Sequence, residues 1–250
     1  MLKKLIQPFL KNGKCLIVAY DHGSNKNVDI FKYNSANPTY IFELAKNIDA
    51  TGIVLNKGIA EIYSQTNYKT PLIVKLNTKN ENTRIPILTC SVEYAKKLGA
   101  KAIGYTIYFG FEYEAEQIKE FSELVEKAHS LDMAVILWSY VVYPYGGPKD
   151  RKEDLEEMLS AFRQSYELGA DLIKIYNPNR LIDISFLHSI TPNLPIAMRG
   201  GESIENPDLL SWIKESIDKG IDGFIIGRNL WQKENATELG KEIHKIIFKN

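Results

Sequence analysis

What most constrains this chain is a rhythm of eight short apolar runs. They read CLIVAYDHG from Cys15, GIVLNKG from Gly52, PLIVKLN from Pro71, AIGYTIY from Ala102, MAVILWSY from Met133, DLIKIYN from Asp171, PIAMRGG from Pro195 and DGFIIGRN from Asp222. Each is apolar at successive rather than alternate positions, the pattern of a parallel strand covered on both faces. Between the runs the period becomes helical. Ile118, Phe121, Val125 and Ala128 share a face between Tyr113 and Leu131, and Leu155, Leu159, Phe162 and Tyr166 share one between Asp150 and Leu168. Three joints are near-copies of one another: KKLGAKAIGY, YELGADLIKI and IDKGIDGFII. In each a glycine (Gly99, Gly169, Gly220) ends a helix as a left-handed cap, and a strand follows. One strand–helix unit repeated without a break in composition predicts an α/β fold, a (β/α)8 TIM barrel, as a single domain over residues 1–250. A doubly wound open sheet would carry Gly-x-Gly-x-x-Gly after its first strand, and that turn reads DHGSNKN.

Composition narrows the partners. Lysine plus arginine and aspartate plus glutamate both number 31, and no basic stripe compensates locally, so neither nucleic acid nor a membrane surface is an expected partner. Cys15 and Cys90 have no metal-ligand spacing and read as small core residues of a reduced compartment. The opening MLKKLIQPFL is too short and interrupted for a signal peptide, and no run approaches a membrane span, so a cytoplasmic location is expected. Of four histidines only His22 lies at a strand end, and the reading includes no metal or other cofactor.

In a barrel the chemistry gathers at the C-terminal ends of the strands. There the chain has Asp21 and His22, Asn56 and Lys57, Lys75 and Asn77, Tyr105 and Tyr108, Trp138 and Tyr140, Lys174 and Tyr176, Arg199 with Gly200 and Gly201, and Gly227 with Arg228. The glycines and arginines fall after the seventh and eighth runs, where barrels commonly hold a phosphate with backbone N–H groups and a guanidinium fork. Lysine in an apolar run is the other signal. An exposed lysine is neutral in only about one molecule in 2,500 at pH 7, and burial or a nearby cation raises that fraction until the amine can attack a ketone. A Schiff-base lysine beside a phosphate site points to aldol chemistry on a sugar phosphate. Spacing alone leaves Lys174 and Lys75 both open as the nucleophile.

The motifs GYTIYFGFEYE (Gly104 to Glu114), LGADLIKIY, VILWSY, IIGRNLWQ and AYDHG occur in order from about Cys15 to Gln232. In this the chain resembles the archaeal-type class I fructose-bisphosphate aldolases. The resemblance implies Lys174 as the Schiff-base lysine, Tyr140 as general acid and base, and Asp21 holding a substrate hydroxyl. It further implies Trp138 walling the sugar chain and Gly200, Gly201, Gly227 and Arg228 holding a phosphate, in a homo-oligomer, decameric in the fullest form of the expectation. His22, Arg199 and Lys75 complete the expected substrate-binding set, Lys75 as a cation near the nucleophile or a paired core charge. Tyr143 and Tyr145 are local rivals of Tyr140.

Two departures bear on the substrate. Three extra residues follow the Trp-x-Tyr element, with Tyr145 where the resemblance leads one to expect arginine. After the seventh run the chain reads Arg199-Gly200-Gly201-Glu202-Ser203 in place of Ser-Gly-Gly-Pro-Lys. The expected reaction is reversible cleavage of fructose 1,6-bisphosphate, or a close ketose phosphate, to dihydroxyacetone phosphate and an aldehyde. The alternatives are a related lysine-barrel synthase of the 2-amino-3,7-dideoxy-D-threo-hept-6-ulosonate type, which transfers a ketose-derived fragment to an aldehyde acceptor, and a non-catalytic sugar-phosphate-binding barrel.

Overall fold

A computed structural model describes residues 4–25, 33–79, 86–143, 151–176, 182–200 and 205–248. All eight apolar runs are strands of one closed parallel barrel. They are β1 (Cys15–Tyr20), β2 (Gly52–Asn56), β3 (Leu72–Lys75), β6 (Ala102–Phe109), β7 (Ala134–Val141), β8 (Leu172–Ile175), β9 (Ile196–Arg199) and β10 (Gly223–Ile226), with β1 pairing both β2 and β10 to close the ring. Between β3 and β6 a short antiparallel hairpin, β4 (Asn77–Lys79) and β5 (Pro86–Leu88), stands over the rim; sequence reasoning missed it.

The long helices fall where the 3.6 period places them, α4 at Glu114–Ser130 and α5 at Arg151–Glu167. On α5 the most buried residues include Met158, Ala161, Phe162 and Ser165, so the buried stripe lies one position away from the expected Leu155, Leu159 and Tyr166, which are only partly covered. The three joint glycines have φ of +83° (Gly99), +91° (Gly169) and +98° (Gly220), the left-handed values that a β-carbon disfavours.

Side chains alternate between two cores. One parity packs outward under the helices. The other fills the lumen with Cys15, Ile17, Ala19, Val54, Ile73, Ala102, Ala134, Ile136, Leu172, Ala197 and Ile225. Ile6 and Phe9, from the opening segment, join this inner cluster and plug its lower end. At that end the strand entries are tied by side chains. Thr51 Oγ1, Asp171 Oδ2 and Asp222 Oδ2 accept from the amides of Leu16 (3.0 Å), Val135 (2.8 Å) and Ile196 (2.8 Å), each on the preceding strand of the barrel. The lower half of the lumen is therefore apolar and closed, and every lumen-facing polar group is left at the upper end.

Candidate active site

Continuing the lumen parity up each strand gives Asp21, Lys75, Asn77, Thr106, Tyr108, Trp138, Tyr140, Lys174 and Arg199, all but Thr106 among the strand-end groups expected to do chemistry. With His22, Ser24, Thr78, Lys79 and Arg228 they line one cavity of about 240 Å³. Tyr105 has the opposite parity: it packs outward, fully buried, with its hydroxyl donating to Glu120 on α4. Lys57 is exposed at the start of α2 (Lys57–Ser64), away from the cavity.

Trp138 is the partition of the site. Its indole has the Lys174 ammonium 5.1 Å from the ring centroid and the Lys75 ammonium at 5.4 Å. The ring fits because residue 104 is glycine: a β-carbon there would stand 2.6 Å from Trp138 Cζ3.

The two lysines differ in what they touch. Lys75 Nζ donates to the backbone oxygen of Asn77 at 2.8 Å and to Asn77 Oδ1 at 2.6 Å. Asn77 is itself locked, accepting from the Thr106 amide and donating to the Thr106 carbonyl, both at 2.9 Å. Lys174 makes neither hydrogen bond nor ion pair among the described residues, although it is only 6% exposed. Burial, reinforced by Lys174 and opposed by Asp21, pulls Lys75 down to about 7. Burial, reinforced by Arg199 and opposed by Asp21, pulls Lys174 down to about 8. Proton affinity alone would thus favour Lys75 as the nucleophile. Freedom to move favours Lys174, and it weighs more: about one Lys174 in ten is already neutral at pH 7, whereas Lys75 must break two short bonds to reach a carbonyl.

Asp21 follows β1. Burial works to raise its pKa, but His22, Lys174 and Lys75 together hold it below the ordinary carboxylate value, so it is an anion at pH 7. Burial pushes the Tyr140 phenol above its ordinary value, and Arg199, through charge and hydrogen bonding, is the chief influence in the other direction. His22 Nδ1 lies 3.6 Å from Asp21 Oδ1, and its ring meets Trp231 edge-on at 5.7 Å. Burial, with Lys174 and Arg228, lowers the imidazole pKa against the pull of Asp21, so His22 is a neutral wall rather than a cation at pH 7.

The glycines after the last strands have packing reasons of their own. A β-carbon at Gly227 would be 2.6 Å from His22 Cε1, and one at Gly200 would be 3.1 Å from Ile226 Cγ2. Gly227 caps the four-residue helix α8 (Arg228–Trp231), and Arg228 is exposed at the cavity mouth. Gly201, Glu202, Ser203 and Tyr145 lie outside the described residues. Tyr143, the other rival of Tyr140, is turned away to donate to Asp154 Oδ1 at 2.6 Å. Ser24, Thr78 and Lys79 were not expected. For Lys79 the signal would have been that it and Asn77 continue the parity of Lys75. Among the described residues no group of three or more His, Cys, Asp or Glu side chains is placed to hold a metal, and no helix is long and apolar enough to cross a membrane.

The model of the DeoC/LacD family aldolases matches residues 15–233. The chain belongs to that family. It is 33% identical to the class 1 fructose-bisphosphate aldolase of Thermoproteus tenax, over 99% of this chain and 95% of the relative. A solved Schiff-base-forming fructose-1,6-bisphosphate aldolase superposes with a TM-score of 0.87 at 32% identity, covering 99% of this chain and all of the other. The 2-amino-3,7-dideoxy-D-threo-hept-6-ulosonate synthase 1 of Archaeoglobus fulgidus is more distant, at 26% identity over 99% of this chain and 91% of the relative. This aldolase therefore has the fold that its periodicity, and the family that its motifs, led one to expect.

Proposed function

We propose that this aldolase is a class I enzyme that reversibly cleaves fructose 1,6-bisphosphate, or a close ketose phosphate, to dihydroxyacetone phosphate and an aldehyde. The observation that carries the reading is the Lys174 amine, buried in the cavity against Trp138 and committed to no partner among the described residues. The neutral amine adds to the ketone carbon, and the carbonyl oxygen takes a proton to give a carbinolamine. Loss of water, with Tyr140 supplying the proton to the departing hydroxyl, leaves an iminium. The Tyr140 oxygen then takes the proton of the C4 hydroxyl as the C3–C4 bond breaks. The bonding electrons pass into the iminium to form an enamine, and the aldehyde leaves. Protonation at C3 and hydrolysis of the iminium release dihydroxyacetone phosphate and restore the amine. Asp21 accepts a hydrogen bond from a substrate hydroxyl and, beside Lys174, favours the cationic iminium. Arg199 and Arg228 line the cavity, and with the backbone of their chain neighbours Gly200 and Gly227 they are suited to a phosphate.

The same reading makes the protein a cytoplasmic homo-oligomer of sugar-phosphate breakdown and synthesis; sedimentation velocity would report the assembly. The covalent step has a direct test. Borohydride reduction in the presence of dihydroxyacetone phosphate, followed by peptide mass spectrometry, is expected to give a reduced adduct on Lys174. That adduct should vanish in Lys174→Ala and persist in Lys75→Ala. An adduct on Lys75 instead would reverse the assignment.

A further inference from the structure

Strand register places three side chains in a layer directly above Lys174. Trp138 and Ala197 are its partners on β7 and β9. Two residues further along the three neighbouring chain paths come Tyr140, Tyr176 and Arg199, which share the lumen-facing parity. Arg199 is held in that layer by stacking: its guanidinium carbon is 3.7 Å from the centroid of the Tyr176 ring. Stacked so, it still lines the cavity, its buried Nε has no hydrogen-bond partner, and among the described residues it forms no salt bridge. An arginine at the cavity wall, neutralised by no carboxylate among the described residues and clamped by an aromatic face, is an expensive arrangement for packing alone.

We propose that Arg199 is a positioning residue for the covalent step: Tyr176 pins its guanidinium above the lysine, and the fixed charge enlarges the share of Lys174 amine that is unprotonated and draws the Tyr140 hydroxyl toward proton release. The inference rests on Lys174 being the nucleophile. Lys174 is faced by Asp21 after β1, with His22 beside it, by Lys75 on β3, by Tyr140 on β7, by Arg199 on β9, and at the mouth by Arg228 after β10. After burial, Asp21 acts on the lysine to favour the ammonium and Arg199 acts to favour the free amine. Arg199 also has the largest influence opposing burial at Tyr140, favouring the phenolate. A single cation acting on both groups therefore biases both toward their reactive forms.

Arg199→Gln, Arg199→Lys and Tyr176→Leu separate this role from phosphate binding and from packing. The measurement is the rate of cyanoborohydride trapping on Lys174 between pH 6 and 9.5, with dihydroxyacetone phosphate and with unphosphorylated dihydroxyacetone. Wild-type trapping should rise with pH about a midpoint near 8. In Arg199→Gln the midpoint moves to higher pH, because losing a cation favours the ammonium. Trapping of both ketones at pH 7 then falls about tenfold per unit of displacement and recovers in alkali. Arg199→Lys keeps the wild-type midpoint more nearly, and Tyr176→Leu shifts it in the same direction by less. An unmoved midpoint with loss confined to the phosphorylated ketone would make Arg199 only a phosphate ligand. A loss that alkali does not recover would make it only structural. Either result overturns the proposal while leaving Lys174 in place; absence of any Lys174 adduct in the wild type would overturn the aldolase mechanism beneath it.

Discussion

A single methyl group at residue 104 should separate a packed catalytic partition from an ordinary core tryptophan. Gly104 lies in β6 facing the lumen. A β-carbon added there would be 2.6 Å from Trp138 Cζ3, 2.7 Å from Cη2 and 3.3 Å from Lys75 Cδ. Carbon atoms pack at about 3.5–4.0 Å, so Gly104→Ala asks the far edge of the indole to withdraw by about 1 Å. The indole is 3% exposed and has an ammonium group over the ring at 5.1 Å and another at 5.4 Å. The backbone at 104 is not in the left-handed region, so the substitution carries no conformational penalty. In a site with slack it would stabilise by about 0.4–1 kcal/mol through the unfolded chain. Overpacking here should instead cost about 1–3 kcal/mol. The sign of the change is therefore diagnostic. Displacing Trp138 also displaces the surface against which Lys174 rests, and a misplacement of about 1 Å costs on the order of a hundredfold in rate.

Urea denaturation of Gly104→Ala should show a lower midpoint with unchanged slope, and borohydride trapping of dihydroxyacetone phosphate should slow by one to two orders of magnitude, about the size set by such a misplacement. The double variant Gly104→Ala/Trp138→Phe supplies the control. Phenylalanine lacks the two clashing atoms, so the methyl should cost at least about 1 kcal/mol less in that background than in the wild type. A Gly104→Ala protein that is more stable than wild type, or one that traps at the wild-type rate, would refute the view that the indole is held without slack beside the two lysines.

Two further outcomes test the charge and the scaffold. Lys174 falls from an ordinary 10.5 to about 8 in the folded protein, so the unfolded chain holds the proton more tightly; the resulting penalty is full below pH 8 and fades as pH rises toward 10.5. At about 1.4 kcal/mol per unit the difference of about 2.5 units sets an upper bound of about 3.5 kcal/mol. Lys174→Met should accordingly raise the unfolding free energy at pH 7, less what Asp21 loses with its partner, while abolishing the adduct; a loss of stability would reveal a structural lysine. At the other end of the barrel, Asp171 Oδ2 accepts from the Val135 amide at 2.8 Å and meets His129 Nε2 at 2.9 Å. Asp171→Ala strands that buried amide and should cost about 1–3 kcal/mol in denaturant titration, with the trapping rate per folded molecule unchanged.

The barrel was legible because its strands are apolar on both faces, and for the same reason the lumen was not. A run such as AIGYTIY gives no alternation to separate inside from outside, so Tyr105 and Tyr108 both read as rim residues. Register decides: Tyr108 pairs with Tyr140 and lines the cavity, whereas Tyr105, three residues earlier and of opposite parity, reaches Glu120 on α4. Contacts across long separations were hidden too, among them the plug by Phe9 and the clamp of Asn77 on Thr106, 29 residues away. The choice between the lysines was nearer the surface than spacing suggested. Both sit in runs of similar character, LIVKLN and LIKIYN, and in a strand the residue two positions on shares the same face. After Lys75 that residue is Asn77, whose carbonyl oxygens take the amine; after Lys174 it is Tyr176, whose ring carries Arg199 instead. A lysine followed at i+2 by an acceptor is tethered by its own strand, while one followed by an aromatic face is left facing the lumen. It is the second arrangement that leaves an amine able to reach a carbonyl.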